Sequence, residues 1–228
     1  MSIAEKLVTV AENVPKVHAA GKQDVLAALT NNYKRTNYEN MFREGNLSGL
    51  DFAKTVYPTA LYNAFTSYKG ESIPSNMDCS KMTVTSNGVQ WAFRWAELLK
   101  VFPDIKIPAM TAYAGTWQGC KALETIEMVR CTESTTFSSS FADCIALKNI
   151  TFGGYIGQNI SFDNCKVLSG ASIEGIINNL SPEVRDKTLT LSSQAVTSAF
   201  GSTTSAEWAS IVSRKPYWII SLVKDVTT

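Results

Sequence analysis

The sequence holds a single histidine, His18, and no two cysteines in CxxC spacing. Zinc sites draw on clustered His and Cys ligands, and a Ser-His-Asp triad needs a histidine beside its nucleophile. Neither chemistry has its residues here, and no metal or catalytic residue is assigned. The cysteines number five: Cys79, Cys120, Cys131, Cys144 and Cys165. An odd count, without a basic start and apolar run after Met1-Ser2-Ile3-Ala4-Glu5-Lys6, points away from a disulfide framework and a secretory leader. Long apolar runs are missing too. A membrane-spanning helix needs roughly 18 consecutive apolar residues, so no membrane insertion is expected. Charge is scarce and balanced, with 21 basic and 20 acidic residues and a net charge of +1. Nucleic-acid binding needs a concentrated basic face, and the longest basic run is Lys34-Arg35, so nucleic acid is not an expected partner. Gly153-Gly154 lacks the GxxxxGK[ST] continuation of a phosphate loop and reads as a turn. Glu127, Glu133 and Asp143 are scattered rather than convergent, and no cofactor is expected.

What the chain does have is a repeat. Trp117, Phe141 and Phe162 recur 24 and then 21 residues apart, and Cys120, Cys144, Cys165 and Leu123, Leu147, Leu168 keep that spacing. Ile126 and Met128 match Ile150 and Phe152. One turn earlier Phe93, Ala96, Leu99 and Phe102 fall in frame, with Ile105 and Ile107 displaced. A period of 20–30 residues means stacked units, none able to bury its apolar face alone. The repeated thiol position is filled by alanine at Ala96, so it reads as a small apolar corner rather than a redox or metal ladder.

These spacings predict an α/β chain: a leucine-rich-repeat-like β-solenoid with a parallel sheet, an N-terminal helix and a helix–strand C-terminal cap. Three parts are expected: residues 1–29, an amphipathic anchoring helix; 30–168, the solenoid; 169–228, the cap. Segments Ile105-Lys106-Ile107, Ile126-Glu127-Met128 and Ile150-Thr151-Phe152 are expected to stack as strands, with Lys106, Glu127 and Thr151 in one outer row, a candidate binding face for a cell-surface glycan or protein, and Lys106 pairing with Glu127. A second strand per turn is expected at 111–113, 135–137 and 159–162, and a half-buried strand at Met82 and Val84. Tyr113 and Tyr155 fall near turns and are candidate exposed contacts, while all five tryptophans fit core or cap positions. The cap reads as helix 172–180, strand 188–191, helix 205–215 and a final strand 217–223.

In the first part, Ile3, Leu7, Val10, Val14 and Val17 are spaced 4, 3, 4, 3, a short heptad seam interrupted by Pro15. It suits either a helix packed on its own domain or an oligomeric helix that docks the protein to a larger assembly.

Several stretches carry a family resemblance. They include Ser2-Ile3-Ala4-Glu5-Lys6-Leu7, Ala11-Glu12-Asn13-Val14-Pro15-Lys16-Val17, Arg35-Thr36-Asn37-Tyr38, Ile173-Glu174-Gly175-Ile176-Ile177-Asn178-Asn179-Leu180 and Lys215-Pro216-Tyr217-Trp218-Ile219-Ile220. Together the chain resembles phage and prophage structural proteins of gut bacteria, and its repeats resemble leucine-rich repeats of bacterial surface proteins. The resemblance implies a non-enzymatic virion protein of a tail, baseplate or fibre, made in the host cytoplasm. Its expected partners are other virion proteins, or itself through the N-terminal helix, and a host cell-surface glycan or protein. A glycan- or receptor-binding module of a bacterial surface protein is the alternative. A glycan-degrading enzyme is a third reading, and it would need carboxylates converging on one groove.

Overall fold

The computed structural model describes residues 39, 42–45, 58–73 and 77–224. The heptad seam Ile3, Leu7, Val10, Val14 and Val17 and His18 lie outside the described residues. Strand β1 is Val101–Phe102, β2 Thr125–Arg130, β3 Asn149–Gly153 and β4 Ile160–Phe162. Helix α1 follows at Gly170–Asn178, then β5 at Lys187–Ser192, α2 at Ser193–Phe200, α3 at Ala206–Ser213 and β6 at Trp218–Val223.

The β-solenoid expectation is not met. In place of one continuous parallel sheet there are two separate three-stranded parallel sheets, β1-β2-β3 and β4-β5-β6, with three helices in the described residues. The fold is mixed α/β.

The reasons are local. The strand expected at Ile105-Lys106-Ile107 is bracketed by Pro103 and Pro108, which have no N–H for a ladder. Lys106 itself has φ 58°, outside the extended region. The strand of that turn forms earlier, and Phe102 takes the register position opposite Ile126, which in turn faces Ile150. In β2 an extra residue shifts the register, so Val129, not Met128, faces Phe152. Val129 is buried, while Met128 is only half-buried. The expected second strands at 111–113 and 135–137 reduce to one bridge, Ala112 to Thr136. The segment around Met82 and Val84 is not a strand, and Val84 is exposed.

Most of the stacking runs through turns. Residues Asn63, Trp91, Gly115 and Ser139 occupy equivalent corners, and their backbones have φ between 52° and 57°. Asn63 N–H donates to Gln90 O, Trp91 N–H to Ala114 O and Gly115 N–H to Ser138 O, so each corner is bonded to the next turn. A second left-handed corner follows four residues on, at Ser67, Trp95, Gly119 and Asp143, and Glu44 takes the same place in the turn before Ser67.

Inside the turns the rings stack. Phe42 lies 5.3 Å from Phe65, Phe65 lies 4.9 Å from Phe93, and Trp117 lies 5.5 Å from Phe141. Phe102 links Phe93 to Trp117 edge-on at 4.8 and 5.2 Å. Phe141 then lies 4.6 Å from Phe162. Offset stacks and edge contacts at these separations are the favoured arrangements of aromatic pairs. Buried residues from Phe42 to Trp218 form one hydrophobic cluster.

Beyond β4, Ser169 caps α1 by accepting from Ser172 N–H, and Ile173, Ile176 and Ile177 face the core. Helix α2 is not among the elements expected from the sequence. It begins directly where β5 ends, because Ser192 both closes the strand and accepts from Gln194 and Ala195 N–H as its cap.

Candidate functional site

The five thiols are all free and buried. The Cys120 thiol donates to Phe93 O at 3.1 Å, and Cys144 donates to Trp117 O at 3.1 Å. The hydroxyls of Thr116 and Ser140 make the same backward step, to Val89 O and Tyr113 O. Thiol and hydroxyl alike tie one turn to the turn before. Burial pushes the Cys144 thiol up to about 12 and Cys131 to about 11, and raises Cys79, Cys120 and Cys165 as well. A thiol held neutral is a poor nucleophile. No group of three or more His, Cys, Asp or Glu among the described residues could hold a metal ion.

The expected outer row does not form as a row. The Lys106 ammonium reaches Asp78 at 3.2 Å instead of Glu127. Glu127 accepts the backbone N–H of Asp104 at 2.9 Å. Asp104 in turn holds Arg130 through two bonds of 2.6 and 2.7 Å, and that guanidinium keeps the Asp104 carboxyl below the ordinary carboxylate range. Thr151 is exposed in β3. Tyr113, expected near the surface, is buried at 1% exposure. Its ring lies between Trp117 and Phe137, and its hydroxyl donates to Arg130 O at 2.8 Å. Tyr155 is 52% exposed, on the turn after Gly153-Gly154, and apart from the others.

A different surface stands out, built around Trp91 and Trp95, which the sequence reading gave to core or cap positions. Trp95 is 46% exposed and Trp91 is half-buried. Both sit at the left-handed corners, with φ of 58° and 54°. For a bulky side chain that conformation costs roughly 1–2 kcal/mol per residue. The equivalent corners carry Glu44, Asn63 and Ser67, Gly115 and Gly119, and Ser139 and Asp143, and all of these except Glu44 are small or tolerate it well. Among the described residues, only this turn places indoles there. The glycines of the next turn make the room: a Cβ on Gly115 would stand 2.6 Å from Trp91 Cδ1, and one on Gly119 2.4 Å from Trp95 Cδ1.

The Arg94 guanidinium lies over Trp95, 3.8 Å from the ring centre, and 5.7 Å from that of Trp91. Tyr62 extends the surface, its ring 5.8 Å from Trp91. Of the neighbouring cations, Lys100 pairs with Glu71 at 2.8 Å and Lys121 with Glu97 at 2.7 Å. Arg94 pairs with no carboxylate among the described residues, and its Nε is buried without a hydrogen-bond partner there.

The signal for this surface was in the sequence. Gly115 and Gly119 follow Trp91 and Trp95 at the 24-residue repeat, so each glycine stands beside an indole once the turns stack. The arrangement offers flat apolar faces beside the guanidinium of Arg94, unpaired among the described residues, which is chemistry for holding a ligand. Comparison with known proteins returns no matching family model, no matching curated protein and no matching solved structure.

Proposed function

We propose that the chain is a non-enzymatic recognition protein of a phage or prophage particle, carried at a tail, baseplate or fibre. In this reading its stacked turns are a rigid support, and the surface of Tyr62, Trp91, Arg94 and Trp95 meets a host-surface or neighbouring virion component. The observation that carries it is the pair of indoles held at left-handed corners that the other described turns fill with small or polar residues. Strain kept at a surface position points to function rather than packing, because packing alone would favour asparagine or glycine there. The virion setting comes from the phage and prophage resemblance of the stretches quoted above. The buried, neutral thiols and the carboxylates engaged by Lys100, Lys106, Lys121 and Arg130 also favour recognition over catalysis.

Immunogold labelling of particles purified from cells that express the protein tests the setting. Gold clustered at the tail, baseplate or fibre is the expected result. Abundant protein in the lysate with unlabelled particles would overturn it.

A further inference from the structure

We infer that the indole–guanidinium surface binds an acidic glycan, one whose sugar rings carry carboxylates. This rests on the reading of that surface as the recognition site and names its ligand.

The backbone argues against a peptide strand. Trp91 and Trp95 N–H donate to Ala114 O and Gln118 O, while Gln90 O and Arg94 O accept from Asn63 and Ser67 N–H. The main chain along this turn is therefore committed to its neighbours, and it offers no row of free groups for strand addition. Recognition has to use side-chain faces. An indole presents a flat apolar face that suits the C–H face of a sugar ring, and the exposed part of Trp95 provides such a face.

The charge sets the class of glycan. Arg94 is stacked on Trp95 and has no carboxylate partner among the described residues, whereas Lys100, Lys106 and Lys121 each have one. A planar guanidinium with unused donors favours a planar carboxylate, which it can hold through two bonds at once. The ring of Tyr62 lies 5.8 Å from that of Trp91, at the edge of a cleft lined also by Glu39, Asn87 and Gly88, so the carboxylate-binding part of the surface is the Arg94 end and not the cleft. Gln118, whose Oε1 stands 3.4 Å from a Cβ placed on Gly115, lies close enough to serve sugar hydroxyls.

The test uses the full chain on an array of uronic- and sialic-acid oligosaccharides, their methyl-esterified counterparts, neutral oligosaccharides and acidic peptides. Hits are then measured by titration calorimetry. The expected result is binding to at least one carboxylated glycan, weakened roughly tenfold or more by esterification, by Arg94→Gln and by Trp95→Asn. Binding to no carboxylated glycan would overturn the inference, as would equal affinity for the ester or a preference for acidic peptides. Arg94→Gln keeps the test open if Trp95→Asn does not fold, and esterification needs no variant at all. Whole-cell binding separates the two levels. Cell binding that Trp95→Asn abolishes, with no glycan bound, refutes the glycan but leaves the recognition surface standing.

Discussion

Replacing Phe141 by alanine probes whether the stacked rings hold the turns together as one body. Phe141 is buried at 1% exposure, lies 5.5 Å from Trp117 and 4.6 Å from Phe162, and meets Phe137 and Phe152 at 6.3 Å. Truncating a buried phenylalanine costs about 3–5 kcal/mol, combining lost transfer energy and a residual cavity. Two nearly parallel stacks, each worth about 0.5–1.5 kcal/mol beyond burial, place Phe141 toward the upper end, about 5 kcal/mol. A single domain has about 5–15 kcal/mol of stability in all, so the variant should sit near its unfolding threshold. Urea unfolding followed by tryptophan fluorescence and far-ultraviolet circular dichroism gives the measurement. The expected outcome is one coincident transition, shifted to lower urea with its slope unchanged. A loss under about 1.5 kcal/mol would refute the continuous column. So would a transition that splits between the two probes.

Other outcomes follow from single features. Cys79, Cys120, Cys144 and Cys165 should resist Ellman's reagent at pH 8 in the native chain, with Cys131, the least strongly shifted, the first to react, and all five should react fully in urea; a fast-reacting native thiol among those four would contradict the burial of the ladder. Gly154→Ala should cost about 2–4 kcal/mol in urea unfolding, because at φ 113° a Cβ would stand 2.1 Å from the Cys131 carbonyl oxygen; an unchanged midpoint would count against that turn. The Asp104 carboxyl has its pKa lowered by Arg130, so the pair's stabilisation is present above the ordinary aspartate range, near pH 4, and fades as pH falls through the lower folded value. Asp104→Asn should therefore flatten the loss of stability on acidification, and an unaltered pH profile would show that the pair contributes nothing.

The repeat was legible because a unit that cannot bury its own face must repeat the residues it buries. Phe141, Cys144 and Leu147 are buried, as are Trp117, Cys120, Leu123 and Phe162, Cys165, Leu168. The corner role of the thiol was legible for the same reason, since Ala96 fills the position without sulfur. What the period leaves open is backbone conformation. Apolar spacing marks which residues face inward in a turn as well as in a strand, so it could not separate a continuous sheet from stacked corners. The prolines at 103 and 108 did carry that information, and they moved the strand from Ile105–Ile107 back to Val101–Phe102. The bulge in β2 was hidden because Met128 and Val129 are both apolar, and only the pairing to Phe152 distinguishes them. Helix α2 was hidden by the abrupt change at Ser192 from strand to helix cap.

The surface of Trp91, Arg94 and Trp95 was missed for a physical reason as well. A tryptophan in an apolar repeat is ordinarily core, as Trp117, Trp208 and Trp218 are. Exposure of Trp95 follows from a left-handed corner that turns the side chain outward, and nothing in its own neighbourhood of sequence signals that conformation. The signal sits a full turn away, in Gly115 and Gly119. The expected row of Lys106, Glu127 and Thr151 failed for the opposite reason. It assumed strand alternation in a segment where Lys106 is left-handed, and each charge found a nearer partner.

Saturation binding of the labelled full chain to intact host bacteria, wild type against Trp95→Asn, tests the central claim most directly. Asparagine fits the left-handed corner, so the fold is kept while the indole is removed. The account predicts saturable wild-type binding and an affinity lowered roughly tenfold or more in the variant. Saturable binding of equal affinity by both chains would contradict it.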